Sequence, residues 1–132
     1  MSFKHLVIAF ISASAIFLIG CGNTAPVMNI DGSPVVTVSG SKPALDKVKK
    51  AIITAGTMKG WQMQPVKDGQ ILGSIFIGGH MAKVDINYTP ETYSITYKDS
   101  SNLKYDGTNI HKRYNHWIRL LNDQIRMQLS AL

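Results

Sequence analysis

Few residues in this chain of 132 are of types that do chemistry, and their spacing excludes more than it admits. Cys21 is the single cysteine, so an internal disulfide and a four-cysteine zinc site are both out of reach. His80, His111 and His116 could suggest a metal. His111 and His116 stand five apart, about 140° around a helix, so they cannot readily share one ion. No CxxC or HExxH spacing is present. A hydrogen-bonded structural role is therefore expected for these histidines, with no metal and no cofactor. Glu91 is the only glutamate and falls in an expected turn. Without a nucleophile elbow, a phosphate loop or paired carboxylates, the chain reads as a non-enzyme with no catalytic residues.

Two groups remain as candidates for recognition. Ser100–Gly107 joins the last expected strand to the last helix and mixes aromatic with hydrogen-bonding side chains. Asn102, Tyr105, His111, Tyr114 and Asn115 are its candidate recognition residues. The competing reading is a loop folded on itself, with Leu103 and Tyr105 plugging the edge of the core. Lys112, Arg119 and Arg126 form a basic stripe on the last helix. Such a stripe is either a solvated face or a contact for anionic head groups or an acidic partner. Leu72, Phe76 and Met81 add a small apolar patch on the otherwise polar sheet face.

Composition sets the frame for these groups. Hydrophobic residues make up 45% and charged residues 17%, which excludes disorder, collagen and coiled coil. The N-terminus carries Lys4 and then an apolar run, Leu6–Ile19, of 14 residues. A membrane-spanning helix needs roughly 20, so the run fits an export signal instead. The run closes on Leu18-Ile19-Gly20-Cys21, which resembles the lipobox of bacterial lipoproteins. The resemblance implies cleavage before Cys21, a diacylglyceryl group on its sulfur and an acyl group on the new amino terminus. A thiolate is the soft nucleophile such a transfer requires, and more than one chain is needed for stable anchoring. Position 22 is glycine rather than aspartate, which by analogy with lipoprotein sorting favours the outer membrane, facing the periplasm. Losing Lys4 lowers the formal charge from +6 to +5. Nucleic acid is not an expected partner of an exported protein.

The expected organisation is a signal at 1–20, a lipidated cysteine and tether at 21–34, and one domain at 35–132. The prolines and small polar residues of Gly22–Pro34 mark the tether. Val35–Val38 reads as a short edge strand. Ser41 is expected to cap a helix carrying Leu45, Val48, Ile52 and Ala55, with Gly56 as its stop. Trp61–Gln64, Ile71–Ile77, His80–Tyr88 and Tyr93–Lys98 read as strands. Gly78-Gly79 supplies a two-residue hairpin, which sets Ile77 opposite His80 and Ile71 opposite Ile86. The turn at 89–92 sets Tyr88 opposite Tyr93 and Val84 opposite Tyr97. That register collects Ile71, Ile75, Ile77, Ala82, Val84, Ile86, Tyr88, Tyr93, Ile95 and Tyr97 on one face. Asp106–Asn109 should cap the last helix, whose apolar stripe runs Ile110, Tyr114, Trp117, Leu121 and Ile125. The fold class is α+β: a two-layer sandwich of a four-stranded antiparallel meander with two helices on one face, in the order (β)-α-β-β-β-β-α.

Further stretches resemble a family of small, uncharacterised bacterial lipoproteins. They are Ala55-Gly56 with Gly60-Trp61, His80-x-Ala82-x-Val84-x-Ile86-x-Tyr88, Tyr93-Ser-Ile-x-Tyr97, Ser101-Asn102-Leu103-x-Tyr105 and Ile110-His111-x-x-Tyr114-Asn115-x-Trp117. The likeness implies a fold and no activity. The element order also resembles helix-grip domains in lipoproteins of the outer-membrane β-barrel assembly machinery, a likeness of architecture alone. The expected function is a membrane-tethered binding or scaffolding module of the cell envelope, with another envelope protein as partner. The alternative is a helix-grip carrier whose aromatics Trp61, Tyr88, Tyr93, Tyr97 and Trp117 line a cavity for a small apolar ligand.

Overall fold

The computed structural model describes residues 22–132; the expected signal and Cys21 lie outside the described residues. The elements run β1 (Thr24–Pro26), β2 (Ile30–Pro34), α1 (Leu45–Met58), β3 (Gln62–Lys67), β4 (Gln70–Ile77), β5 (His80–Tyr88), β6 (Thr92–Ser101), β7 (Asn109–His111) and α2 (Lys112–Ser130). Strands β3 to β6 form the meander, and β2 adds a fifth strand beside β6. All pairings in this sheet are antiparallel. A separate two-stranded ladder joins β1 to β7. Both helices pack on one sheet face around a single core, so the α+β sandwich is the observed fold.

Alternation decides which face is buried. Ile71, Ile75, Ala82, Val84, Ile86, Tyr88, Tyr93 and Ile95 all point into the core. The hairpin register is the expected one, with Ile77 opposite His80 and Ile71 opposite Ile86. Gly78 and Gly79 take φ of +55° and +80°, the turn geometry that a two-residue hairpin requires. Across the next turn Tyr88 faces Tyr93 and Val84 faces Tyr97. Beyond Tyr97 the ladder shifts: Val84 pairs with Tyr97 but Lys83 with Asp99, so Lys98 is the extra residue of a bulge. The Asn29 side chain accepts the Tyr97 N–H at 2.9 Å. The strand then continues to Ser101, three residues past its expected end. Ile77 departs from the buried set, since it sits at the hairpin tip and is 45% exposed.

The N-terminal segment corrects the expected tether. Residues 24–26 and 30–34 are strands, not linker. Pro26 and Pro34 are tolerated because they end short strands on sheet edges, where a missing N–H costs no ladder bond. The expected edge strand at Val35–Val38 is irregular chain instead, with Val36 64% and Val38 87% exposed. Its β-branched residues have the propensity, but the place beside β6 is already taken by β2.

Both helix starts also differ from expectation. Ser41 does not cap α1; Ala44 holds that position, without a side-chain hydrogen bond. Gly56 lies inside α1, where an added Cβ would collide with the Met63 side chain. The stop is Gly60, at φ +86°. Trp61 N–H reaches the Gly56 carbonyl at 2.9 Å and Gly60 N–H the Thr57 carbonyl at 3.1 Å, the paired bonds of a Schellman motif. In α2 the N-cap is His111 rather than the 106–109 turn. Ile110 belongs to β7 and is buried there. From Tyr114 onward the expected stripe holds, with Trp117, Ile118, Leu121, Ile125 and Leu129 buried.

Candidate functional site

The hairpin tip, the 102–104 loop, β7 and the start of α2 converge at one end of the sheet. Arg113 is the link between them. Its guanidinium donates to His80 Nε2 at 2.6 Å, and a guanidinium can only donate. His80 Nε2 is therefore the acceptor nitrogen, and Nδ1 carries the proton that goes to the Asn102 carbonyl at 2.7 Å. The His80 ring thus bridges α2 to the loop. Asn102 also donates from Nδ2 to the Gly79 carbonyl at 3.4 Å, tying loop to hairpin. Asn102 and Lys104 both adopt positive φ, 60° and 55°, which gives this loop a specified shape.

His111 closes the first turn of α2. Its Nδ1 accepts the Arg113 backbone N–H at 3.1 Å, as an N-cap side chain does. Partial burial pushes the His111 imidazole below its ordinary value near 6.5, and the charges of Arg113 and Lys104 push the same way. The unfolded chain consequently takes up the proton first as pH falls. The contribution of neutral His111 is intact above about pH 6.5 and is lost as pH falls through that value toward the folded pKa. His111→Asn retains a capping side chain without the titration. The stability gap between wild type and His111→Asn, read from urea midpoints, is expected to move against wild type between about pH 7 and pH 5. A gap that stays constant across this range contradicts the assignment.

The five residues expected to form a recognition site do not share one surface. Asn115 is 6% exposed and clamps the N-terminal segment. Its Oδ1 accepts the Met28 N–H and its Nδ2 donates to the Pro26 carbonyl, each at 2.9 Å. Tyr114 is fully buried. It meets Tyr97 edge-on at 5.7 Å between ring centroids, and Tyr105 stacks on Tyr97 at 4.1 Å. Leu103 plugs the core at 1% exposed, while Tyr105 is 38% exposed. Asn102 and His111 are tied into the loop and the cap. The loop thus has the self-packed character that was the competing reading, with Tyr105 as its partly open aromatic.

The Tyr114 hydroxyl has no hydrogen-bond partner among the described residues. Burial raises its pKa well above the ordinary value, with the neighbouring hydroxyls of Tyr97 and Tyr105 adding to the effect. An unsatisfied buried hydroxyl costs about 1–3 kcal/mol. Tyr114→Phe is therefore expected to raise stability by about 1 kcal/mol in equilibrium unfolding. A loss of that size would mean that the hydroxyl has a partner in solution.

The basic stripe is dispersed. Lys112, Arg119 and Arg126 are all exposed, but Lys112 and Arg126 lie about 21 Å apart along the helix axis. Arg126 instead lines a surface groove of ≈ 580 Å³ with Ser33, Pro34, Asn122, Asp123 and Met127. Lys112 belongs to the opposite end of α2, where its backbone N–H donates to the Asn23 carbonyl at 2.8 Å. The aromatics expected to line a carrier cavity are distributed differently. Trp61, Tyr88, Tyr93 and Trp117 are packed into the core, and Tyr97 joins the tyrosine cluster under the loop. Among the described residues no three His, Cys, Asp or Glu side chains are grouped to hold a metal ion. No helix among them is long and apolar enough to cross a membrane.

The link from His80 to Arg113 escaped the sequence reading because 33 residues separate the partners. The glycine hairpin and the 102–107 loop each carry a local signal, but nothing local brings them together. No protein-family model, curated protein or solved structure matches the chain.

Proposed function

We propose that this chain is a cell-envelope lipoprotein. Cys21 is its acylation site, and residues 22–132 are a non-enzymatic module that binds or scaffolds another envelope protein at the periplasmic face of the outer membrane. One observation carries the reading. Three residues beyond the lipobox cysteine, Thr24 opens a folded strand, β1, whose partner is β7, the strand that leads directly into α2. A secretory leader that ends just before a nucleophilic cysteine, with a folded domain close behind, suits lipid anchoring. The packed positions of Trp61, Tyr88, Tyr93 and Trp117 favour this over a carrier with a ligand cavity between sheet and helix.

Metabolic labelling with a radioactive fatty acid tests the proposal. Wild type is expected to incorporate label and to fractionate with the outer membrane, and Cys21→Ser to incorporate none. A wild-type product without label refutes it.

A further inference from the structure

We infer that the end of the domain bearing the β4–β5 hairpin is a docking face for an anionic bilayer. This rests on the lipoprotein reading above. The hairpin tip enters the head-group layer, and a collar of cations holds it there.

Three independent features meet at this end. The first is apolar exposure. Phe76 is 62% and Ile77 45% exposed, at a tip completed by Gly78 and Gly79. An aromatic and an aliphatic side chain held out on a rigid hairpin gain free energy on leaving water, and an aromatic ring suits the interfacial layer. Tyr105, 38% exposed on the adjoining loop, adds a second such ring.

The second is charge. Arg113 contacts His80, the first residue after the tip, and Lys104 and Lys112 stand exposed on the neighbouring loop and helix start. The acid within this loop is Asp106. It accepts the backbone N–H groups of Thr108 at 2.9 Å and Asn109 at 2.7 Å, which hold its carboxyl below the usual range. Asp99 and Lys83 stand opposite each other on β6 and β5 close to this end and offset one another, so Arg113, Lys104 and Lys112 against the hydrogen-bonded Asp106 leave it positive. Each lysine or arginine near an anionic surface strengthens binding by about fivefold.

The third is the leash. Asn23 is fixed at this same end by the Lys112 N–H at 2.8 Å, and Thr24 pairs with His111. Two residues of chain span at most about 7 Å. That is comparable to one head-group layer, about 5–7 Å thick. An acyl chain on Cys21 consequently brings the hairpin end to the bilayer and leaves no slack for the far end to replace it. The 68–69 turn, at the other end of β4, is eight residues away, or about 25 Å.

Lipidation blocks the only native thiol, so an introduced cysteine is the single site for a fluorophore. Full-length Phe76→Cys and Asp68→Cys, purified as lipoproteins, are labelled and reconstituted with phosphatidylethanolamine and phosphatidylglycerol carrying brominated acyl chains. Quenching at position 76 is expected to exceed that at position 68 several-fold. Lys104→Glu and Lys112→Glu should each lower the docked-to-undocked ratio by about fivefold or more, and phosphatidylcholine should do the same. Equal quenching at both positions, with acylated Cys21 verified by mass, overturns the docking face and leaves the lipoprotein reading standing. Crosslinking of position 76 to a protein instead of lipid also overturns it. If Cys21 carries no acyl chain, the lipoprotein reading falls. Salt-sensitive pelleting of the same chain with the anionic vesicles then decides the docking face, and absence of pelleting overturns it.

Discussion

Replacing Ile86 with alanine is expected to destabilise the domain by about 3–5 kcal/mol. Ile86 is fully buried in β5, at the centre of the sheet. It faces Ile71 of β4 on one side and Ile95 of β6 on the other. Truncation removes buried methylenes and leaves a cavity that two β-branched neighbours and the overlying helices cannot close. A domain of this size has about 5–15 kcal/mol in total, so the loss should shift the urea midpoint by a large fraction. Ile77→Ala is the internal control. It removes the same atoms from a residue 45% exposed at the hairpin tip and should cost less than about 1 kcal/mol. Similar losses for both would mean that the sheet face is not the core.

The second large effect is expected at Asn115. Asn115→Ala should cost about 2–4 kcal/mol, because it strands the Met28 N–H and the Pro26 carbonyl together. Asn115→Asp keeps the acceptor but loses the donor, and adds a charge to a buried site, so it should rescue little. Amide exchange in β1 and at Val27 should rise more than exchange in β4 and β5, since the clamp acts locally. A stable Asn115→Ala protein with a defect confined to binding would instead return Asn115 to a recognition surface.

The sheet was readable because its information is local. Two glycines at 78–79 and a four-residue turn at 89–92 fix three strands in register, and alternation selects the buried face. The body of α2 was readable from helical spacing. What failed is non-local. Gly22–Pro34 has the composition of a linker, but distant partners order it: β1 pairs with β7, β2 with β6, and Asn115, 87 residues beyond Met28, clamps the chain between them. Val35–Val38 has the composition of a strand but finds the sheet edge occupied. Ile110 has the spacing of the helix stripe, yet β1 recruits it into a ladder before the helix begins. Of the candidate site, single residues were legible but their grouping was not. Tyr114 and Asn115 follow each other in the recognition motif and prove interior, whereas Arg113, passed over between them and Lys112, joins hairpin, loop and helix.

Amide hydrogen exchange of the lipidated protein bears most directly on the idea that the anchor is a short leash to a fixed end of the domain. The Val27 N–H is bonded to the Thr108 carbonyl at 3.0 Å, and the Met28 N–H to Asn115 at 2.9 Å. Both are predicted to exchange slowly, with protection well above that of an unstructured chain. Exchange of these two amides at unstructured rates, with β4 and β5 still protected, would contradict it and restore a flexible tether.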